Sequence, residues 1–133
     1  MKTLLALICC LAPAVVLASS ASGKIKKIAG EYGNIETTLT QQDLDRLDLQ
    51  TGDDFELMHK EVLIIVHLGE TYGDVEQGFW ISFINWEGKL RIARNAANAA
   101  ETLDAAEGDD ITISVIDSTN IRQEEKEEGY ESR

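Results

Sequence analysis

The sequence predicts a mainly β fold, a small β-barrel with two short helices. Three observations lead there. The 133-residue length suits one domain, and a hydrophobic fraction of 44% is enough for an ordinary core. Short apolar or β-branched segments recur between turns marked by Gly, Asn and Asp. The pattern L-D-x-x-x-G-D-D also occurs twice, in "LDLQTGDDFEL" (Leu47 to Leu57) and "LDAAEGDDITI" (Leu103 to Ile113). Each copy reads as a helix end, a Gly turn and a strand, so the chain turns two corners in the same way.

Residues 1–18 read as a signal peptide rather than as part of the fold. Met1-Lys2 supplies the positive start, "LLALICCLAPAVVLA" the apolar run, and Val16-Leu17-Ala18 a small-residue cleavage site. The competing reading is an uncleaved anchor, but the apolar run is short for a spanning helix and no stop-transfer pattern follows it. The expectation is export to a periplasmic or extracellular location, with no stable membrane span after cleavage. Both cysteines, Cys9 and Cys10, lie inside this segment. The exported chain would then have no disulfide, thiol nucleophile or zinc-thiolate site. A formal charge of −12 argues against nucleic acid as a partner and against anionic lipid.

Residues 19–23 read as a linker and residues 24–117 as the barrel. "KIKKIA", Lys24 to Ala29, is the first strand, and "GEYGN" a turn freed by Gly30 and Gly33. "IETTL" has the β-branched content of a strand. Thr40 with Asp43 forms a capping box, and Leu44 and Leu47 share a face, predicting a helix over Gln41 to Leu47. "TGDDFELMH" turns into the next strand. "EVLIIVHL" is apolar enough to predict burial on both faces. "GETYGDVEQG" is a polar loop, "FWISFI" and "KLRIA" are strands joined by the "NWEG" turn, and Ala96, Ala97, Ala99 and Ala100 predict a second helix capped by Asn95. "ITISVI" is the last strand. Residues 118–133, "STNIRQEEKEEGYESR" from Ser118, read as an acidic disordered tail.

Few residues advertise chemistry. His59 and His67 lack a suitably spaced third ligand, so they read as structural, and no metal is expected. Asp53-Asp54 and Asp109-Asp110 follow Gly at turns, where Asp is favoured for backbone reasons. No nucleophile elbow, P-loop or dinucleotide fingerprint is present. The remaining constellation sits at the Gly turns: Tyr32 and Asn34, Tyr72 and Asp74, then Asn85, Arg94 and Asn95. Such groups can stack on a purine, read its edge or pair with a carboxylate. Alternation with Ile92 places Arg91 outward as a surface charge.

"EYGNIETTLTQQDL", "TYGDVEQGFWISFIN" and "GKLRIARNAANAAETLDAAEGDDITI" resemble the C-terminal domain of the S-adenosylmethionine hydroxide adenosyltransferase family, relatives of the fluorinase and chlorinase enzymes. The resemblance implies a small barrel that closes over an adenosyl ligand, in trimers whose sites form between neighbouring subunits. It also implies a larger α/β domain that carries the water-activating residues. Ligand-binding positions would fall on Tyr32, Asn34, Tyr72, Arg94, Asn95 and Ala96, with S-adenosylmethionine or adenosine as ligand and no cofactor. The chain departs from the pattern at Tyr32, usually Phe, and at Glu87, where halogenase-like members carry Arg. No catalytic residue carries over. The expected function is therefore a non-catalytic module that binds a nucleoside-like ligand, or a partner supplying the α/β half, with a homo-oligomer also open. The alternatives are a structural or interaction barrel without a small ligand, and an S-adenosylmethionine hydrolase releasing adenosine and methionine.

Overall fold

The computed structural model describes residues 20–116. The expected signal peptide and acidic tail lie outside the described residues. Seven strands close into a barrel in the order β1-β2-β6-β5-β4-β3-β7. In chain order these are β1 (Ser20–Ala29), β2 (Asn34–Thr40), α1 (Gln41–Arg46), β3 (Asp54–His59), β4 (Val62–Leu68), β5 (Trp80–Ile84), β6 (Lys89–Arg94), α2 (Ala99–Leu103) and β7 (Asp110–Val115). Neighbours are antiparallel except β4 and β5, whose parallel seam is only the two rungs His67–Ile81 and Leu68–Ser82. Ile25, Ile35, Leu39, Phe55, Leu57, Val66, Leu90, Ile92 and Ile113 fill the core from alternate positions of the strands. The predicted mainly β barrel with two short helices is the fold observed. Among the described residues no helix is long and apolar enough to cross a membrane.

Helix α1 forms where its capping box predicts. The Thr40 backbone N–H donates to Asp43 Oδ2 at 2.8 Å and the Asp43 N–H donates back to Thr40 Oγ1 at 3.4 Å. Leu44 and Leu47 then seal the barrel on their shared face. Three other expectations need correction. The first strand starts at Ser20, because Ser20 to Gly23 pair with Ser114 to Ile111, so most of the segment read as linker is strand. Strand β4 is not buried on both faces: Leu63 is 50% and Ile65 49% exposed, since only the inner wall of the barrel is covered here. The second helix is capped by Asn98, whose Oδ1 accepts the Glu101 N–H at 2.9 Å, and not by Asn95. The Asn95 backbone instead extends the β5–β6 ladder, donating to Phe79 O at 3.0 Å and accepting from Gly78 N–H at 2.7 Å.

The repeated motif is a repeated structure. Asp48 and Asp104 both take left-handed φ (55° and 52°), and Gly52 and Gly108 follow with 103° and 88°. The carboxylate of Asp53 accepts the Gln50 N–H at 2.8 Å, and that of Asp109 accepts the Ala106 N–H at 2.9 Å. Gly52 N–H donates to Leu68 O in β4, and Gly108 N–H donates to Ile25 O in β1. Strands β3 and β7 pair with the equivalent residues Leu57 and Ile113 opposite each other. The two corner turns and the strands that follow them, β3 and β7, thus meet antiparallel with equivalent residues opposed, a local two-fold relation.

Candidate functional site

The Gly30–Gly33 turn between β1 and β2 carries Tyr32 and packs on the start of α2. Ala99 N–H donates to Tyr32 O and Ala100 N–H to Gly33 O, both at 3.0 Å, so the turn backbone satisfies donors at the helix start. Gly33 holds φ +57°, and a Cβ there would lie 2.2 Å from Asn98 Oδ1, so a larger residue would have to displace the Asn98 cap. The Tyr32 ring is left 52% exposed.

The loop from Gly69 is tied by Asp74. Its Oδ2 accepts the N–H groups of Glu70 at 2.8 Å and Thr71 at 3.1 Å. Those two backbone donors hold the Asp74 carboxyl below its ordinary pKa. The tie sets the single helical turn Tyr72–Asp74 and swings the Tyr72 ring onto Phe83, edge to face, with centroids 5.2 Å apart. The Tyr72 hydroxyl accepts from Asn34 Nδ2 at 2.8 Å and from Arg91 Nη1 at 3.4 Å, which leaves its own proton to donate. Asn34 Oδ1 is buried without a partner among the described residues.

At the end of β6, Arg94 lies over the Trp80 ring at 5.5 Å and donates to Gly78 O at 2.8 Å and to Thr102 Oγ1 at 2.9 Å. Asn95 Nδ2 donates to Val75 O at 2.8 Å, and Ala96 turns the chain with φ 55°. Tyr32, Tyr72, Arg94, Asn95 and Ala96 line one open pocket of about 280 Å³. Asn34 stands beside it, reached through the Tyr72 hydroxyl. Five of the six positions that the resemblance implies therefore line one pocket, and the sixth, Asn34, bonds the hydroxyl of one of them.

Arg91 is not a free surface charge. Its Nε donates to Glu36 Oε1 at 2.6 Å, its guanidinium lies 5.6 Å from the Phe83 centroid, and Asn85 Nδ2 donates to the other Glu36 oxygen at 2.6 Å. Burial pulls the Arg91 pKa down, but the hydrogen bonds and charges of Glu36 and then Tyr72 together outweigh it and the net shift is upward. A polar chain Asn85–Glu36–Arg91–Tyr72–Asn34 thus runs along the barrel wall to the pocket. Its signal was the β2–β6 register, which sets Glu36 opposite Arg91. His59 and His67 are separate, bonded at 2.8 and 2.7 Å to Asp109 and Asp54. Among the described residues no group of three or more His, Cys, Asp or Glu is placed to hold a metal ion.

Comparison places this barrel in a class. Residues 23–112 match the SAM hydroxide adenosyltransferase C-terminal domain, and the chain belongs to that family. Two crystal structures share the fold. An uncharacterized conserved protein from Thermotoga maritima superposes with a TM-score of 0.69 at 23% identity, over 72% of this chain and 36% of that one. A conserved hypothetical protein from Thermus thermophilus gives 0.51 at 21% identity, over 73% of this chain and 36% of that one. This chain therefore spans about a third of those proteins' length. No curated protein matches the chain.

Proposed function

We propose that the chain is the binding half of an adenosyl site: an exported, periplasmic or extracellular module that holds a nucleoside-like ligand and is not catalytic on its own. The observation that carries this reading is the meeting of three distant pieces of chain, at Tyr32, Tyr72 and Arg94–Ala96, on one pocket. An exposed Tyr32 ring suits a purine face, and the Tyr72 proton suits an acceptor on its edge. At about 280 Å³ the pocket is at the small end for a ligand of this size and open on one side. That favours a second wall from an α/β partner or from another copy of the chain. Without such a wall a reacting group would stay in water, which removes the main sources of catalysis.

Calorimetry of the full chain with adenosine and with S-adenosylmethionine tests the reading. Adenosine is expected to bind, and Tyr32→Ala to weaken it about tenfold, the worth of one stacking contact. Absence of heat with both ligands at about 1 mM, a bound of roughly 4 kcal/mol, would sink it. One observation favours a second reading, a structural barrel that has lost its ligand: the Arg94 guanidinium is already engaged by Gly78 and Thr102. A turnover assay separates the hydrolase alternative, since adenosine release from S-adenosylmethionine is expected to be absent.

A further inference from the structure

Strand β4 has an unfinished edge. It pairs with β3 along its length, from His59–Val62 to Asp54–His67, but on its other side it meets β5 only at His67 and Leu68. Leu68 N–H donates to Asp53 O, so by the alternation of an antiparallel ladder the N–H and C=O groups of Leu63 and Ile65 face away from β3. Among the described residues no strand pairs with them. The side chains here are apolar and in water: Leu63 and Ile65 on β4, Met58 directly opposite Leu63 on β3, and Phe79 at 59% exposure. Alongside the edge runs a groove of about 640 Å³, walled by Ile65 and His67 on one side and by Val75, Phe79 and Trp80 on the other. It is separate from the Tyr32–Tyr72 pocket and shares no lining residue with it.

A free edge beside an apolar groove is the geometry of strand addition, in which main-chain hydrogen bonds give affinity and side-chain contacts give specificity. The charges choose the occupant. Asp54 and Glu76 line the groove, Glu56 stands opposite Ile65, and Glu61 precedes the strand. Against them stand His67, already bonded to Asp54, Lys60, whose ammonium donates to Asp104 O, and Arg94, whose guanidinium lies over the Trp80 ring and is held by Gly78 O and Thr102 Oγ1. A second copy of this chain would bring the same carboxylates face to face, and the segment 118–133 is itself acidic. We propose that this edge and groove dock an extended segment of another protein, apolar along one side and flanked by Lys or Arg, added as a strand to β4.

Two capped peptides on the isotope-labelled full chain test the proposal, one alternating lysine with valine and the other glutamate with valine. The lysine peptide is expected to shift the amide signals of Leu63 and Ile65 and the indole of Trp80, more weakly as salt rises. The glutamate peptide is expected to leave them in place. Ile65→Ser should weaken the lysine peptide about tenfold, as loss of a central apolar contact does. Leu63→Pro removes the outward N–H together with the exposed leucine side chain and should abolish binding; if that variant does not fold, the exposed Phe79→Ala carries the test. Equal binding of both peptides, binding unchanged in Ile65→Ser and Phe79→Ala, or a dimer formed through this face in light scattering would each overturn it. So would binding that requires removal of residues 118–133. The Leu63 and Ile65 amides lie off the nucleoside pocket and no nucleoside is present, so this proposal and the adenosyl reading fail separately.

Discussion

Gly33 combines two constraints at one residue. Its left-handed φ would strain a side chain, and the space a Cβ needs is filled by the cap of α2. Gly33→Ala is expected to cost about 1–3 kcal/mol, read as a lower urea midpoint, because both strain and collision act. Asp109 makes a second prediction at this scale. The hydrogen bond from His59, then that from the Ala106 N–H, lower its pKa in the folded state. Its contribution is therefore present above the unfolded carboxylate value, about 3.9, and is lost as pH falls through the lowered folded value. Urea midpoints measured down through that range should fall more steeply for the wild type than for Asp109→Asn. Parallel profiles would contradict the assignment.

The elements show what sequence patterns can and cannot carry. Thr40, Asp43, Leu44 and Leu47 lie within one short stretch, and so α1 was legible almost to the residue. Thr40→Ala is expected to cost about 1 kcal/mol in chemical denaturation, since it removes one arm of the capping box. The sequence predicts α2 too early because Asn95 and Asn98 are equally good caps by type. The choice is made by Gly78 and Phe79, whose backbones, just before β5, claim Asn95. The same reason hid Arg91: alternation gives the face a residue points to, but only the β2–β6 register supplies the carboxylate it meets there. In the sequence the Tyr32, Tyr72 and Arg94 segments are separate turns. Their convergence on one pocket is a property of barrel closure, which no local pattern encodes.

For the molecule as a whole, closure rests on unequal seams. Strands β3 and β4 share six rungs, whereas β4 and β5 share two. Amide hydrogen exchange should find the β4–β5 seam opening before β3–β4, because fewer backbone bonds must break there. Equal protection of the amides at the His67–Ile81 and Leu68–Ser82 rungs and at the Leu57–Ile64 rung would contradict this. The two-fold relation between the repeated units has a further consequence. Ser20 lies beside Ser114, at the place in one unit where the Lys60–Glu61 hairpin joins β3 to β4 in the other. Anything fused before Ser20 or after Val115 would leave from that one corner. The ten-residue β1 spans about 30 Å from there toward the Tyr32 turn. A tether at that corner would let the barrel be immobilised, or strung to a neighbour, with the pocket mouth still facing outward.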